Sequence, residues 1–272
     1  MRNNDVGVNR VLLVCIAPVV TFFCAFWLLP IARLLALPAE KGWEMYFVVL
    51  TNSKYLMSLL NTLLLSVLVT LLTLIVGGGV GIFLARTEFL GRRLLISLLT
   101  LPLSFPGVIV GFFIILLGGR QGTIANFADD MGWGRWTFAY GFLGLFLAYL
   151  YFSLPRAISS YTAAAESMNS SLEEVARSLG ASRLQVIRDV WIPELAPATL
   201  ACGAIVFATA MGAFGTAFTL ASKFEVLPIS IYNEFTNYAN FSLAASLSIA
   251  LGLVTSLTLA LARRWSNDPV IG

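Results

Sequence analysis

Histidine is absent from all 272 residues, and only 11% of them are charged. The first absence removes imidazole acid–base catalysis, serine–histidine nucleophile pairs and the commonest metal ligand. The second removes a soluble fold, since soluble domains carry about 25% charged residues. Cysteine is nearly missing as well. Cys15, Cys24 and Cys202 all fall in apolar stretches, where a thiol packs as a small hydrophobe rather than forming a bridge or a metal site. No G-x-x-x-x-G-K-[ST] phosphate loop occurs, so the chain is not expected to hydrolyse ATP itself. A net charge of +3, scattered along the chain, is too small to hold nucleic acid.

What is present is apolar: 58% of residues are hydrophobic and the mean hydropathy is +0.87. Runs of about 20 apolar residues cross a bilayer as helices, because backbone groups in lipid must bond within their own segment. Six such segments read at roughly 11–35, 56–85, 94–117, 138–158, 195–221 and 241–262. The first is too long for a signal peptide and no small-x-small cleavage site closes it, so it reads as an uncleaved span. An all-α membrane protein of six transmembrane helices is expected.

Arginine and lysine set the orientation. With both termini on one side, that side holds Arg2, Arg10, Arg86, Arg92, Arg93, Arg156, Arg177, Arg183, Arg188, Arg263 and Arg264, 11 in all. The other side holds 6: Arg33, Lys41, Lys54, Arg120, Arg135 and Lys223. Both termini are therefore expected in the cytoplasm, in a bacterial inner membrane. Trp43, Tyr46, Trp133 and Trp136 in the outer loops suit an interfacial aromatic belt. Arg33 and Arg156 sit near segment ends and read as snorkelling side chains. Carboxylates are missing from the spans, which argues against a carrier that couples itself to protons or ions. A stand-alone channel would need a filter and an intramembrane enzyme a catalytic cluster; neither is visible.

One charged island interrupts the apolar chain, SLEEVARSLGASRLQVIRDVWIP, between spans four and five. Ser170 with Glu173, and Ser171 with Glu174, both fit a capping box at a helix start. Leu172, Val175, Ala176 and Leu179 then form one apolar stripe at helical spacing. Gly180 stands where a helix stops in a left-handed cap. Ser182 suits the start of a second helix carrying Leu184, Ile187 and Trp191, and Pro193 closes or bends the segment. Such a helix is short and rich in carboxylates, which suits a groove on a soluble protein better than an anionic lipid surface.

At these residues the chain resembles the membrane subunits of binding-protein-dependent ABC importers. Their cytoplasmic motif reads EAA, three residues, G, nine residues, I-x-L-P; here Glu174-Val175-Ala176, Gly180 and Val190-Trp191-Ile192-Pro193 keep both spacings. Val175, Val190 and Ile192 depart from it by apolar replacement. The likeness runs from about Asn61 to Arg264. It implies a type I importer permease fold, with an N-terminus over 1–10, a permease domain over 11–264, a coupling segment at 166–193 and a cytoplasmic tail over 265–272. It further implies two ATPase subunits that bind ATP-Mg, a second permease subunit (identical or homologous) and an external binding protein. By position, Glu174 and Ala176 would face the ATPase and Gly180 would form the elbow. Glu173, Arg177, Arg183 and Pro193 complete the coupling set.

For the pathway, Gly77-x-x-x-Gly81 fits close helix packing, with Gly78 and Gly79 alongside. Pro102, Pro106 and Gly107 should kink span three near mid-membrane, and a second irregular spot falls at 209–216. Candidate lining residues are Ser104, Phe105, Thr209, Met211, Gly215 and Thr216. The outer-loop charges Lys41, Arg120, Asp129, Asp130, Lys223, Glu225 and Glu234 are candidates for docking the binding protein. Within the family the chain looks most like the group serving polyamines, phosphonates, iron and inorganic oxyanions. A polyamine such as spermidine or putrescine is the first expectation, and a phosphonate, iron or an oxyanion the second. The spans offer a polyamine cation no carboxylate.

Overall fold

A computed structural model describes residues 16–267. The expected cytoplasmic N-terminus with Arg2 and Arg10, Cys15, and the tail from 268 onward lie outside the described residues. Six helices among the described residues are long and apolar enough to cross a membrane. They are α1 (Ile16–Lys41), α2 (Ser53–Arg86), the pair α4 (Gly107–Gly118) and α5 (Thr123–Asp130), α6 (Phe142–Ser167), α8 (Arg183–Met211) and α11 (Phe241–Ala262, continuing to Asn267). Shorter helices fill the connections: α3 (Arg92–Thr100), α7 (Ser170–Ser178), α9 (Gly215–Leu220) and α10 (Leu227–Tyr232). No strand occurs among the described residues. The fold is an all-α bundle.

The core lies where α2, α4, α6 and α8 meet. Leu65, Val69, Val110, Leu145, Ala148, Cys202 and Val206 are all buried there. The α2–α6 contact is the tightest seam, and its cause is the expected small-residue face. A Cβ added at Gly77 would stand 2.6 Å from the Ala157 Cβ, and one at Gly81 only 2.8 Å from the Ile158 carbonyl oxygen. Gly79 has open space around it and takes no part in this seam. A second cluster, with Tyr55, Leu59, Leu227 and Leu247, holds α11 and α10 against the start of α2. By contrast α1 displays Phe22, Phe26 and Leu29 outward, as a span whose surroundings are lipid or another subunit should.

Two expected span limits are corrected. Span three does not run over 94–117. Residues 92–100 make the separate helix α3, a tight 3₁₀ turn covers Leu101–Ser104, and α4 restarts only at Gly107 after Pro106. The two prolines remove amide donors and break the helix outright rather than kinking it. Span four does not stop at 158. Its polar end, SSYTAAAES, continues α6 to Ser167 because those hydroxyls find partners: Tyr161 Oη donates to Thr199 Oγ1 (2.9 Å) and Thr162 Oγ1 to the Gly81 carbonyl (3.2 Å).

Candidate functional site: a capped charged helix and a cleft between broken helices

The island folds as two short helical pieces around a glycine elbow. Helix α7 begins with Asn169 as its cap, whose Oδ1 accepts from the Ser171 amide at 3.1 Å. That corrects the two expected serine capping boxes. Glu173, freed from capping, points back toward the bundle. Its carboxylate accepts from Arg177 (2.7 Å) and from the Trp191 indole (3.3 Å), and lies 3.9 Å from Arg86 at the end of α2. The Arg86 guanidinium stacks over the Trp191 ring, 5.8 Å from its centroid. Arg92 in turn joins Leu84 O to Glu166, at 2.6 Å each. Glu194 Oε1 accepts from the Asn169 amide at 3.2 Å. Beneath this network Ala165, Met168 and Leu195 form a small apolar floor. Helix α7 is thus clamped to two spans, α2 and α8, while Arg92 and Glu166 tie α3 to α6.

The elbow is closed by a Schellman arrangement. Gly180 has φ +85°, its amide donates to Arg177 O (3.0 Å), and the Ala181 amide reaches back to Ala176 O (3.0 Å). The left-handed conformation costs a side chain free energy that glycine escapes. Ser182 and Gln185 then form a full capping box at the start of α8. The clamp leaves the apolar stripe outward: Leu172, Val175 and Leu179 are 50%, 55% and 82% exposed, and Leu184 is 76% exposed. Glu174, Arg177, Gly180 and Arg183 are also exposed, while Ala176 and Pro193 are half-buried. Glu173 differs from the rest of the expected coupling set, because it works inward as a strut. Arg86, Glu166, Trp191 and Asn169 were missed as members; Arg86, closing an apolar run, and Trp191, inside the matched motif, gave a sequence signal.

The second site lies in the bundle interior, where both expected irregular spots converge. Helix α8 ends at Met211 and α9 restarts at Gly215, and Thr216 Oγ1 there donates to the carbonyl of Gly107 at the start of α4 (3.1 Å). The junction leaves a cleft of about 210 Å³ lined by Gly107, Tyr149, Phe152, Ser153, Thr209, Ala210, Gly212, Ala213, Gly215 and Thr216. Tyr149 Oη caps the Ala213 carbonyl at 2.8 Å, satisfying backbone that the helix break frees. Thr209, Gly215 and Thr216 of the expected lining are therefore brought together. Phe105 instead packs edge-on against Phe113, Ser104 is exposed on the 3₁₀ turn, and Met211 is fully enclosed in the core.

Arg156 adjoins this cleft. It is not at a helix end: α6 runs to Ser167, 11 residues further on, and the guanidinium turns sideways to donate to Thr209 Oγ1 (3.0 Å). Snorkelling is thus replaced by a contact inside the bundle. A larger cleft of about 540 Å³ lies beyond α9 at the other end of the bundle, with Arg120 and Lys223 among its lining. Of the outer-loop docking candidates, Glu234 is corrected: it is buried, and accepts from Tyr55 Oη at 2.7 Å. Asp129 pairs with Arg135 at 2.9 Å. No group of three or more metal-ligating side chains occurs among the described residues.

The proteins similar to this chain are transport-system permeases and chains of ABC transporters. The chain is 30% identical over 240 residues to the sulfate transport system permease protein CysT of Salmonella typhimurium, covering 86% of this chain and 85% of that protein. It is 33% identical over 208 residues to the molybdenum transport system permease protein ModB of Escherichia coli, covering 72% and 90%. In structure it matches a chain of a bacterial ABC transporter involved in the import of the acidic polysaccharide alginate, with a TM-score of 0.81 at 20% identity and 97% of both chains covered. It also matches a chain of the MetNI methionine ABC transporter, with a TM-score of 0.62 at 17% identity over 77% of this chain and 93% of that one. The sequence profile of the binding-protein-dependent transport system inner membrane component matches residues 77–266. The chain belongs to that family, as a multi-pass permease subunit of an ABC importer.

Proposed function

We propose that this permease subunit forms half of a transmembrane pathway for a small inorganic oxyanion, driven by ATPase subunits that dock on the 166–193 segment. The observation that carries the docking is the outward apolar stripe of α7 on a rigid, internally neutralised base. A groove on a soluble partner gains from covering Leu172, Val175 and Leu179, and the clamp beneath transmits its movement. Glu174 and Ala176 flank that face, Gly180 sets its angle, and Arg177 and Arg183 border it. A second permease subunit completes the pathway, an external binding protein delivers the solute, and ATP-Mg is bound by the ATPases. Both termini lie in the cytoplasm of this reading, on the arginine-rich side.

Polyamine, the first expectation, gives way to the oxyanion alternative. The relatives CysT and ModB are named for sulfate and molybdenum transport. An interior with a cation and no carboxylate beside its cleft suits an anion and repels a polyamine. The test is uptake by the assembled transporter in proteoliposomes, with its ATPase and binding protein, using radiolabelled sulfate, molybdate and spermidine. ATP-dependent entry of sulfate or molybdate is expected. Entry of spermidine alone would overturn the oxyanion reading, and failure of an ATPase to co-purify with the chain would overturn the docking.

A further inference from the structure

We infer that Arg156, held by Thr209, is the anion contact inside the pathway, the point at which the passing oxyanion exchanges water for protein. This rests on the oxyanion reading above and goes beyond it by assigning the residue. A charged side chain within a span is costly, and it is retained where it pairs with an opposite charge or faces a wet cavity. Arg156 has no opposite charge: none of the six ion pairs among the described residues includes it. Its neighbours are the Thr209 hydroxyl and the Phe152 ring, 5.8 Å from the guanidinium carbon, and both of these residues line the cleft. Neither neutralises it. Helix α6 places Arg156 about 21 Å from Phe142 and about 16 Å from Ser167, at 1.5 Å per residue, and its guanidinium is turned across to Thr209 of α8.

One helix end adds the same sign. Gly107, the first residue of α4, lines the cleft, so the partly positive end of a twelve-residue helix abuts it. At the break in α8, the Ala208 and Ala210 carbonyls accept from the Gly212 and Ala213 amides and Ala213 O accepts from Tyr149. Those three carbonyls are thereby occupied at the C-terminal, partly negative end of α8. The hydroxyl of Ser153 also faces the cleft, while those of Thr209 and Thr216 donate to the Ile205 and Gly107 carbonyls. Arginine suits the task because its planar fork can offer two parallel N–H donors to an oxyanion. Thr209 holds that fork in place when no anion is present.

The experiment uses the assembled transporter in proteoliposomes, with sulfate and molybdate as probes. Arg156→Gln should lower the initial uptake rate at least about tenfold, a change equivalent to 1.4 kcal/mol. Arg156→Lys should keep about a third or more of it, because charge is the requirement. Thr209→Asp sets a carboxylate against the guanidinium, neutralises it without removing it, and should lower uptake as far as Arg156→Gln does. Co-purification of the ATPase subunits verifies assembly of each variant. Wild-type uptake rates in an assembled Arg156→Gln or Thr209→Asp transporter would overturn the inference, as would equal failure of Arg156→Lys and Arg156→Gln. Should Arg156→Gln not assemble, Thr209→Asp decides alone. If the unmodified transporter carries neither anion, the oxyanion reading itself falls, an outcome distinct from the others.

Discussion

The two functional regions are built in opposite ways. At the charged end, six polar side chains on and around α7 pair with one another, and an apolar stripe flanked by Glu174 and Arg183 faces outward. At the cleft the walls are apolar and hydroxylic, and what remains uncompensated is one positive charge. Each region presents the property it has not cancelled. The first is fitted to a protein groove, where burial of leucine and valine supplies the attraction. The second is fitted to a solute that must bind and leave, where a single fixed charge in neutral walls attracts without trapping.

The largest effect on this contrast should come from the elbow. Gly180→Val forces a β-branched side chain to φ +85° and costs about 1–3 kcal/mol locally. Because α7 would be re-aimed, uptake should fall about tenfold or more and ATPase co-purification with it. Wild-type values for both would separate the elbow from docking. Next, Val175→Asp alters only the exposed stripe, so the isolated chain should melt as before while the yield of bound ATPase falls about fivefold, roughly 1 kcal/mol. A lower melting temperature instead would mean the stripe is packed within the chain.

Smaller effects sharpen the inner side of each region. Glu173→Gln keeps an acceptor for Trp191 but removes the charge facing Arg86 and Arg177. Thermal denaturation should show a loss of about 2–4 °C, the equivalent of about 1 kcal/mol in a chain of this size. Thr216→Val deletes the bond to Gly107 O at the meeting of the two helix breaks, and its cost of about 1 kcal/mol should appear as a melting shift of similar or smaller size. Arg177→Ala removes an i,i+4 pair whose arginine is largely exposed, worth about 0.3–0.5 kcal/mol, and uptake should change less than twofold.

How much of this could be read from sequence depended on how local its cause was. The α7–elbow–α8 sequence was legible because a stripe, a glycine and Ser182 act within a few residues. The α7 cap was not: Ser170 and Ser171 both fit the template, yet Asn169 takes the role while Glu194, 25 residues away, holds its amide and Glu173 is drawn off by Arg86 and Trp191. Likewise the irregular stretches of spans three and five were visible in their prolines and glycines. That they touch through Thr216 and Gly107 was not. Arg156 was misread because hydropathy ended span four too early. The polar residues after 158 looked like loop, and only their partners on α2 and α8 keep them helical.

Helix α8 gives the two regions one mechanical axis. It starts at the Ser182 capping box beside the elbow and carries Trp191, Glu194 and Thr209 on a continuous helical segment of 29 residues, with a π-helical stretch at Ile187–Trp191 and prolines at Pro193 and Pro197. At the α-helical rise, Arg183 and Thr209 stand at most about 39 Å apart along it. Pivoted near the charged end, a tilt of about five degrees would sweep Thr209 sideways by about 3 Å, a full hydrogen-bond length. Such a lever arm converts a small movement of a docked partner into the making or breaking of the Thr209–Arg156 contact, so the grip on the solute would be set by an angle some 40 Å away.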